Sequence, residues 1–310
     1  MATDPVKLLE EYLDYLEIEK NRSIKTRENY ERYLKSFFAW ADIKSVLDID
    51  ADMVKKFRIF LARSPKKSRN RNADETLGKK TQAYYIIALR NFLKYLLRRD
   101  IEVLSPDKIE LPKISTRQIE IPREADLERL LKAPEIGTLR GLRDKAILET
   151  LFSTGLRLSE LCALSRHVDL SRGEMSVRGK GGKLRVVFIS DDAKTAIKNY
   201  LAKRGDAEEA LFISYSGSSK TKKQVPLGRV TSRAVERLVS FYAKKAGIQD
   251  RVTPHMLRHL FATDLLSNGA DLRSVQEMLG HASVMTTQVY THLTNRGLKE
   301  VHRAFHGKRK

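Results

Sequence analysis

Cysteine is almost absent: Cys162 is the one thiol in 310 residues. That excludes a disulfide scaffold and fits a reducing compartment. No apolar stretch approaches the ~20 residues that a membrane span requires; the longest, Ala83 to Leu89, falls far short. The opening MATDPVKLLEEYL is acidic and amphipathic, without the basic-then-apolar order of a signal peptide. A nucleotide-binding P-loop is missing too, because the Gly-Lys-Gly-Gly turn at 179–182 lacks its spacing and its following Ser/Thr. Acid is also in short supply, with 39 Asp+Glu against 59 Lys+Arg, a net charge of +20. Such an excess points to a polyanionic partner, nucleic acid foremost, held in a salt-sensitive way. Charge kept for solubility is the bland alternative. The length suggests two domains, and 41% hydrophobic with 32% charged residues describes a folded chain able to build its core without staples.

The charge is not uniform. Residues 1–53 carry 8 basic and 12 acidic side chains, whereas residues 54–99 carry 14 and 2. That basic block contains the loop SPKKSRNRNADETLGKK and a segment in which Tyr84, Tyr85, Arg90, Lys94, Arg98 and Arg99 stand among apolar residues. Polarised charge beside small polar residues is what a phosphate-backbone surface needs.

Apolar spacing predicts four helices in the first hundred residues: at about 5–20, at 26–41, one capped by Asp50 with Val54, Phe57 and Phe60/Leu61 inward, and at 79–99; the first is capped by Thr3 or Asp4 with Pro5 behind it. The three prolines of 105–122 and its lack of helical period read as an extended interdomain linker. Helices are then expected at about 123–133, 138–154 and 157–165, followed by a β-hairpin within 168–190 around the Gly-Lys-Gly-Gly turn. More helices follow, with a Ser/Lys-rich loop at 214–223 and a last helix at about 294–306.

The residues with chemistry to offer lie in the second part. His255 and Arg258 share one face near the positive end of a helix opened by Thr253 and Pro254. His281 follows a Leu-Gly helix stop, and Tyr290 lies nine residues beyond it. Arg157 stands at a helix start and Lys180 in the hairpin turn. Two guanidiniums can clamp a phosphodiester and stabilise its pentacoordinate transition state. A histidine moves protons near neutral pH, a lysine can protonate a departing sugar oxygen, and a tyrosine can attack phosphorus. Residue by residue the set stays open to structural use, a buried tyrosine above all. His255 and His259, at i and i+4, imitate a metal pair, but no Glu stands between them and no third ligand is evident. His259 reads as a structural histidine.

The words TGLRLSEL (154–161), RGKGGKLR (178–185), HMLRHLFATDLL (255–266) and LGHASVMTTQVYTHL (279–293), in this order and spacing, resemble the signature boxes of the tyrosine recombinase/integrase family, its Xer branch in particular. The likeness runs over nearly the whole chain. It implies a mainly α protein with a small β-hairpin or sheet, shaped as a two-domain C-shaped clamp on DNA. Residues 1–104 would form the helical, SAM-like core-binding domain, 105–122 the linker and 123–310 the catalytic domain. Arg157 and Arg258 would hold the scissile phosphate, and Lys180 would act as general acid for the 5′-oxygen. His255 and His281 would contact the phosphate, and Tyr290 would be the nucleophile. The resemblance implies no metal, nucleotide or redox cofactor. As partners it implies double-stranded DNA with a two-armed site and a homotetramer, or a heterotetramer with a second recombinase, in the cytoplasm. The segment Asn295 to Phe305 would dock on a neighbouring protomer. A short mobile-element integrase, a type IB topoisomerase-like enzyme and a non-catalytic DNA-binding relative are the alternatives. Leu260 and Asp264 depart from the usual Xer wording, at positions outside the six.

Overall fold

The computed structural model describes residues 3–65, 76–112, 123–179, 184–216 and 225–280. The chain divides into two compact units, Met1–Arg117 and Gln118–Lys310.

In the first unit, α1 (Pro5–Asp14) runs on into a π-turn, Tyr15–Glu19, and is followed by α2 (Ile24–Ala41), α3 (Ala51–Arg63) and α4 (Lys79–Leu97). The helices begin where short polar side chains can take up orphan N–H groups. Asp4 accepts from the Val6 N–H at 2.9 Å, Ser23 from Thr26 at 3.3 Å and Asp50 from Met53 at 2.7 Å. Their apolar stripes meet in an aromatic core in which Tyr12, Phe37, Phe57 and Phe92 are fully buried. Phe37 meets Phe57 edge to face at 4.9 Å. Each such side chain contributes roughly 1.5–3 kcal/mol by leaving water.

Some of the residues expected to face DNA already have partners within the first unit. Arg90 pairs with Asp107 at 3.1 Å, Arg99 pairs with Glu11, and Tyr85 packs on Tyr33 with ring centroids 4.5 Å apart. Lys80, Tyr84, Asn91, Lys94 and Arg98 are exposed and, at helical spacing, fall on a single stripe of α4.

The stretch beginning at residue 105 departs from the extended linker expected of it. Pro106–Lys108 form a 3-10 turn, and Ile109 is 3% exposed within the first unit's core. The apolar side chain of Ile109 and the Arg90–Asp107 pair fold these residues onto α4, whereas the prolines alone had suggested free chain.

The second unit is built around α6 (Leu139–Thr154), whose Ala146, Ile147, Leu148 and Leu151 are wholly buried. Around it stand α5 (Glu124–Lys132), α7 (Leu158–Ala163), α8 (Asp191–Lys203), α9 (Ser232–Lys245), α10 (Pro254–Ser267) and α11 (Leu272–Leu279). The expected hairpin is β1 (Glu174–Arg178) paired antiparallel with β2 (Leu184–Phe188), Met175 opposite Val187 and Val177 opposite Arg185. Its inner face is Met175, Val177, Arg185 and Val187, while Val186 and Phe188 are exposed.

A second, unexpected hairpin, β3 (Ile213–Tyr215) with β4 (Pro226–Arg229), flanks the expected Ser/Lys-rich loop, most of which lies outside the described residues. Three residues of strand are too short to show a period of two. The buried charged groups described in this unit are paired, whereas the buried Thr263 hydroxyl has no hydrogen-bond partner among the described residues. Asp144, whose carboxyl is pushed up by burial, accepts from Arg143 at 2.6 and 2.8 Å and from the Tyr242 hydroxyl at 3.0 Å. Among the described residues no helix is long and apolar enough to cross a membrane.

Candidate active site

Helix α6 ends at Gly155, which has φ +57° and donates its N–H to the Leu151 carbonyl. A Cβ there would lie 2.4 Å from the Phe261 ring, so the site demands glycine for both its backbone and its space. The turn buries Leu156 and sets Arg157 at the N-cap of α7. On α10, Thr253 caps the Met256 N–H at 3.3 Å, Pro254 fills the first helical position, and Arg258 follows one turn later, 4% exposed. Helix α11 ends at Gly280 in the left-handed region, φ +62°.

These three helix ends meet. Arg258 donates through Nη1 to the Gly155 carbonyl and through Nη2 to the Leu279 carbonyl. Arg157 donates through Nη2 to the Gly280 carbonyl at 2.6 Å. Two guanidiniums separated by about a hundred residues of chain thus sit on adjacent carbonyls at the C-terminal end of one helix, where cations are favoured.

Glu160 completes the cluster. Its Oε2 accepts the Arg157 backbone N–H at 2.8 Å and Arg185 Nη2 at 2.7 Å. Its Oε1 accepts Arg157 Nη1 at 2.9 Å and Arg185 Nη1 at 2.7 Å. Burial pushes this carboxyl up, but the hydrogen bonds from Arg185 and Arg157 outweigh burial and hold it at about 2.

His255 lies in the first turn of α10, exposed, with its Nε2 3.0 Å from Nε2 of the buried His259. The two rings share a hydrogen bond, so one of them presents a lone pair there and the other a proton. Among the described residues no group of three or more His, Cys, Asp or Glu is arranged to hold a metal ion.

Of the six residues singled out in the sequence, the structure brings Arg157 and Arg258 together and sets His255 one turn before Arg258. Lys180, His281 and Tyr290 lie outside the described residues. The same is true of Asn295 to Phe305 and of 113–122. In the sequence Lys180 stands between residues 178 and 184, and His281 follows Gly280. Two partners escaped sequence reasoning. Glu160 had a signal, an acid three residues after a helix start, the second half of a capping box. Arg185 had one as well, an arginine in phase with Val187 on the inward face of a strand, which calls for a buried acid. Chemically, paired guanidinium forks suit an anion whose charge is spread over two oxygens.

Residues 122–296 match the phage integrase family, and residues 9–100 match the phage integrase N-terminal SAM-like domain. The chain is 34% identical over 305 residues to Tyrosine recombinase XerC of Bacillus subtilis (strain 168), covering 95% of this chain and 94% of that protein. It is 35% identical over 310 residues to Tyrosine recombinase XerD of Listeria innocua, covering 96% and 98%. Among solved structures it is similar to the XerA recombinase, with 31% identity over 99% of this chain and 100% of that one at a TM-score of 0.51. It shares its fold with the XerH site-specific recombinase bound to palindromic difH substrate, at a TM-score of 0.68, 23% identity and coverage of 94% and 82%.

Proposed function

This chain belongs to the phage integrase family and is a site-specific tyrosine recombinase of the Xer kind, and from that premise we propose how its residues divide the work. Residues 1–104, extended by the folded Pro106–Ile109 segment, form the core-binding domain and 123–310 the catalytic domain. Tyr290 is the nucleophile. Its oxygen attacks the scissile phosphorus, a new P–O bond forms to the tyrosine, and the bond to the 5′-oxygen breaks. Lys180 gives that oxygen its proton. The product is a 3′-phosphotyrosyl ester and a free 5′-hydroxyl, and the reverse reaction with the 5′-hydroxyl of a partner duplex reseals the strand. Bond energy is conserved in the ester, so the reaction draws on no nucleotide hydrolysis.

Arg157 and Arg258 hold the non-bridging oxygens and meet the charge that grows on them in the transition state. His255 and His281 contact the phosphate; His255 takes up the proton that the Tyr290 hydroxyl sheds on attack and returns it on resealing, and His281 supports the nucleophile. Four protomers act on two two-armed duplexes, exchanging one pair of strands at a time through a Holliday junction. In the cell the reaction returns chromosome or plasmid dimers to monomers. What supports the assignment of the site is one observation: Arg157 and Arg258, from different helices, end on neighbouring carbonyls of α11.

The test begins with an inverted-repeat duplex recovered from a random-sequence pool by binding to the full chain. A supercoiled plasmid carrying two direct copies of that duplex is expected to be resolved by the protein into two circles. Relaxation that ignores the inserted copies would mean topoisomerase action, and binding without any strand passage would mean a non-catalytic relative.

A further inference from the structure

A buried arginine outside the six candidate positions needs a reason to be there. Arg185, the second residue of β2, is only 13% exposed at its side chain. Three of its five N–H groups are committed. Nη1 and Nη2 form a fork on the Glu160 carboxylate, both at 2.7 Å, and Nε donates to the Met278 carbonyl at 3.2 Å. A Cβ on Gly280 would lie 3.1 Å from Arg185 Cδ, so the end of α11 is closed down on this side chain.

We propose that Arg185 is a positioning residue for strand cleavage, acting through Glu160 on Arg157 and through Met278 on the end of α11. This rests on the recombinase reading above. The charge count explains the need. Glu160 anchors Arg157 at two points, backbone and guanidinium. An acid that close, left to Arg157 alone, would form a neutral pair and cancel the charge intended for the phosphate. With Arg185 on the same carboxylate, two cations share one anion and the trio keeps a net +1 facing the phosphate site. Arg157 is thereby held in place without being neutralised. The same side chain also joins three pieces of chain: α7 with Arg157, the strand that follows the 180–183 segment, and the α11 end that leads into His281. Arg185 itself touches no phosphate.

The experiment measures single-turnover covalent adduct formation on the pool-selected duplex, nicked in turn at each phosphate of its central segment so that a short released strand traps the ester. Cleavage rate and DNA affinity are read separately for the wild type, Arg185→Met, Arg185→Lys, Glu160→Gln and the Arg185→Met/Glu160→Gln double variant. Arg185→Met is expected to cleave about 30-fold more slowly, equivalent to ~2 kcal/mol of barrier, with affinity within threefold of wild type. Arg185→Lys, which keeps the charge but loses the fork, is expected to recover most of that loss. The double variant is expected to be no slower than the worse single one.

Cleavage by Arg185→Met within twofold of wild type would overturn the proposal. So would losses that multiply in the double variant, or affinity and rate falling together. If Arg185→Met shows no cooperative unfolding transition, Arg185→Lys decides: cleavage about 30-fold slower than wild type despite the retained charge would overturn the charge-sharing role. Wild-type protein forming no adduct at any nick would instead overturn the recombinase assignment itself.

Discussion

Replacing Glu160 with glutamine changes a single atom of the carboxyl, yet it should be felt throughout the second unit. In the native cluster each carboxylate oxygen accepts two N–H groups, one from Arg157 and one from Arg185. Glutamine keeps one acceptor and turns an NH2 toward the other pair of donors, while Arg185 loses its counter-charge. Removing one partner of a buried ion pair costs about 3–5 kcal/mol, and Arg157, with a third of its side chain exposed, pulls the expectation to the lower end.

The titration gives a second route. A carboxyl held at about 2 against an ordinary 4.5 corresponds to roughly 3 kcal/mol at neutral pH. Because the folded value is the depressed one, this stability is present above pH 4.5 and fades as pH falls toward 2. At 2–4 °C per kcal/mol for a unit of this size, Glu160→Gln should lower its Tm by about 6–12 °C at pH 7. Urea unfolding followed by circular dichroism at pH 7 and pH 3.5 tests both parts, since the gap between the two proteins should shrink by about 1.4 kcal/mol at the lower pH. A gap below 1 kcal/mol at pH 7, or one that does not change with pH, would refute the assignment of Glu160 as the charged centre of the cluster.

Two further outcomes follow from the geometry and the assignment. Gly155→Ala combines φ +57° with a Cβ driven to 2.4 Å from the Phe261 ring. Its cost should exceed ~3 kcal/mol in a calorimetric scan, and an unchanged Tm would mean that α6 and α10 part easily. Deleting 295–310 should reduce plasmid resolution far more than binding to a single site; equal losses in the two assays would remove the protomer-docking role from this segment.

Much of the fold was legible because the cues are local. Asp4, Asp50 and Thr253 each stand one residue before a helix and cap it, and Gly155 and Gly280 end helices in the one conformation that favours them. The cap at Ser23, which starts its helix two residues before the expected 26, was not read. The other errors arise where distant chain decides. Ile109 belongs to the first core through packing on α4, which no residue near it announces. The strand at Ile213–Tyr215 exists because Pro226–Arg229 pairs with it across a loop.

The candidate site divides along the same line. Arg157 and Arg258 were found because fixed wording surrounds them in the chain. That they share the end of α11 could not be read, since the shared partners are backbone carbonyls, which carry no residue identity. Likewise, Arg185 meets Glu160 across 25 residues, one acid among 39 in the chain.

The central claim is that Tyr290 becomes covalently joined to DNA, and the direct measurement is mass spectrometry of the peptide trapped on the nicked duplex. The wild type should yield one modified peptide, spanning Tyr290 and carrying a 3′-phosphate-linked nucleotide. Tyr290→Phe should bind the same duplex with unchanged affinity and yield none. An adduct at another residue, or one that persists in Tyr290→Phe, would contradict the account.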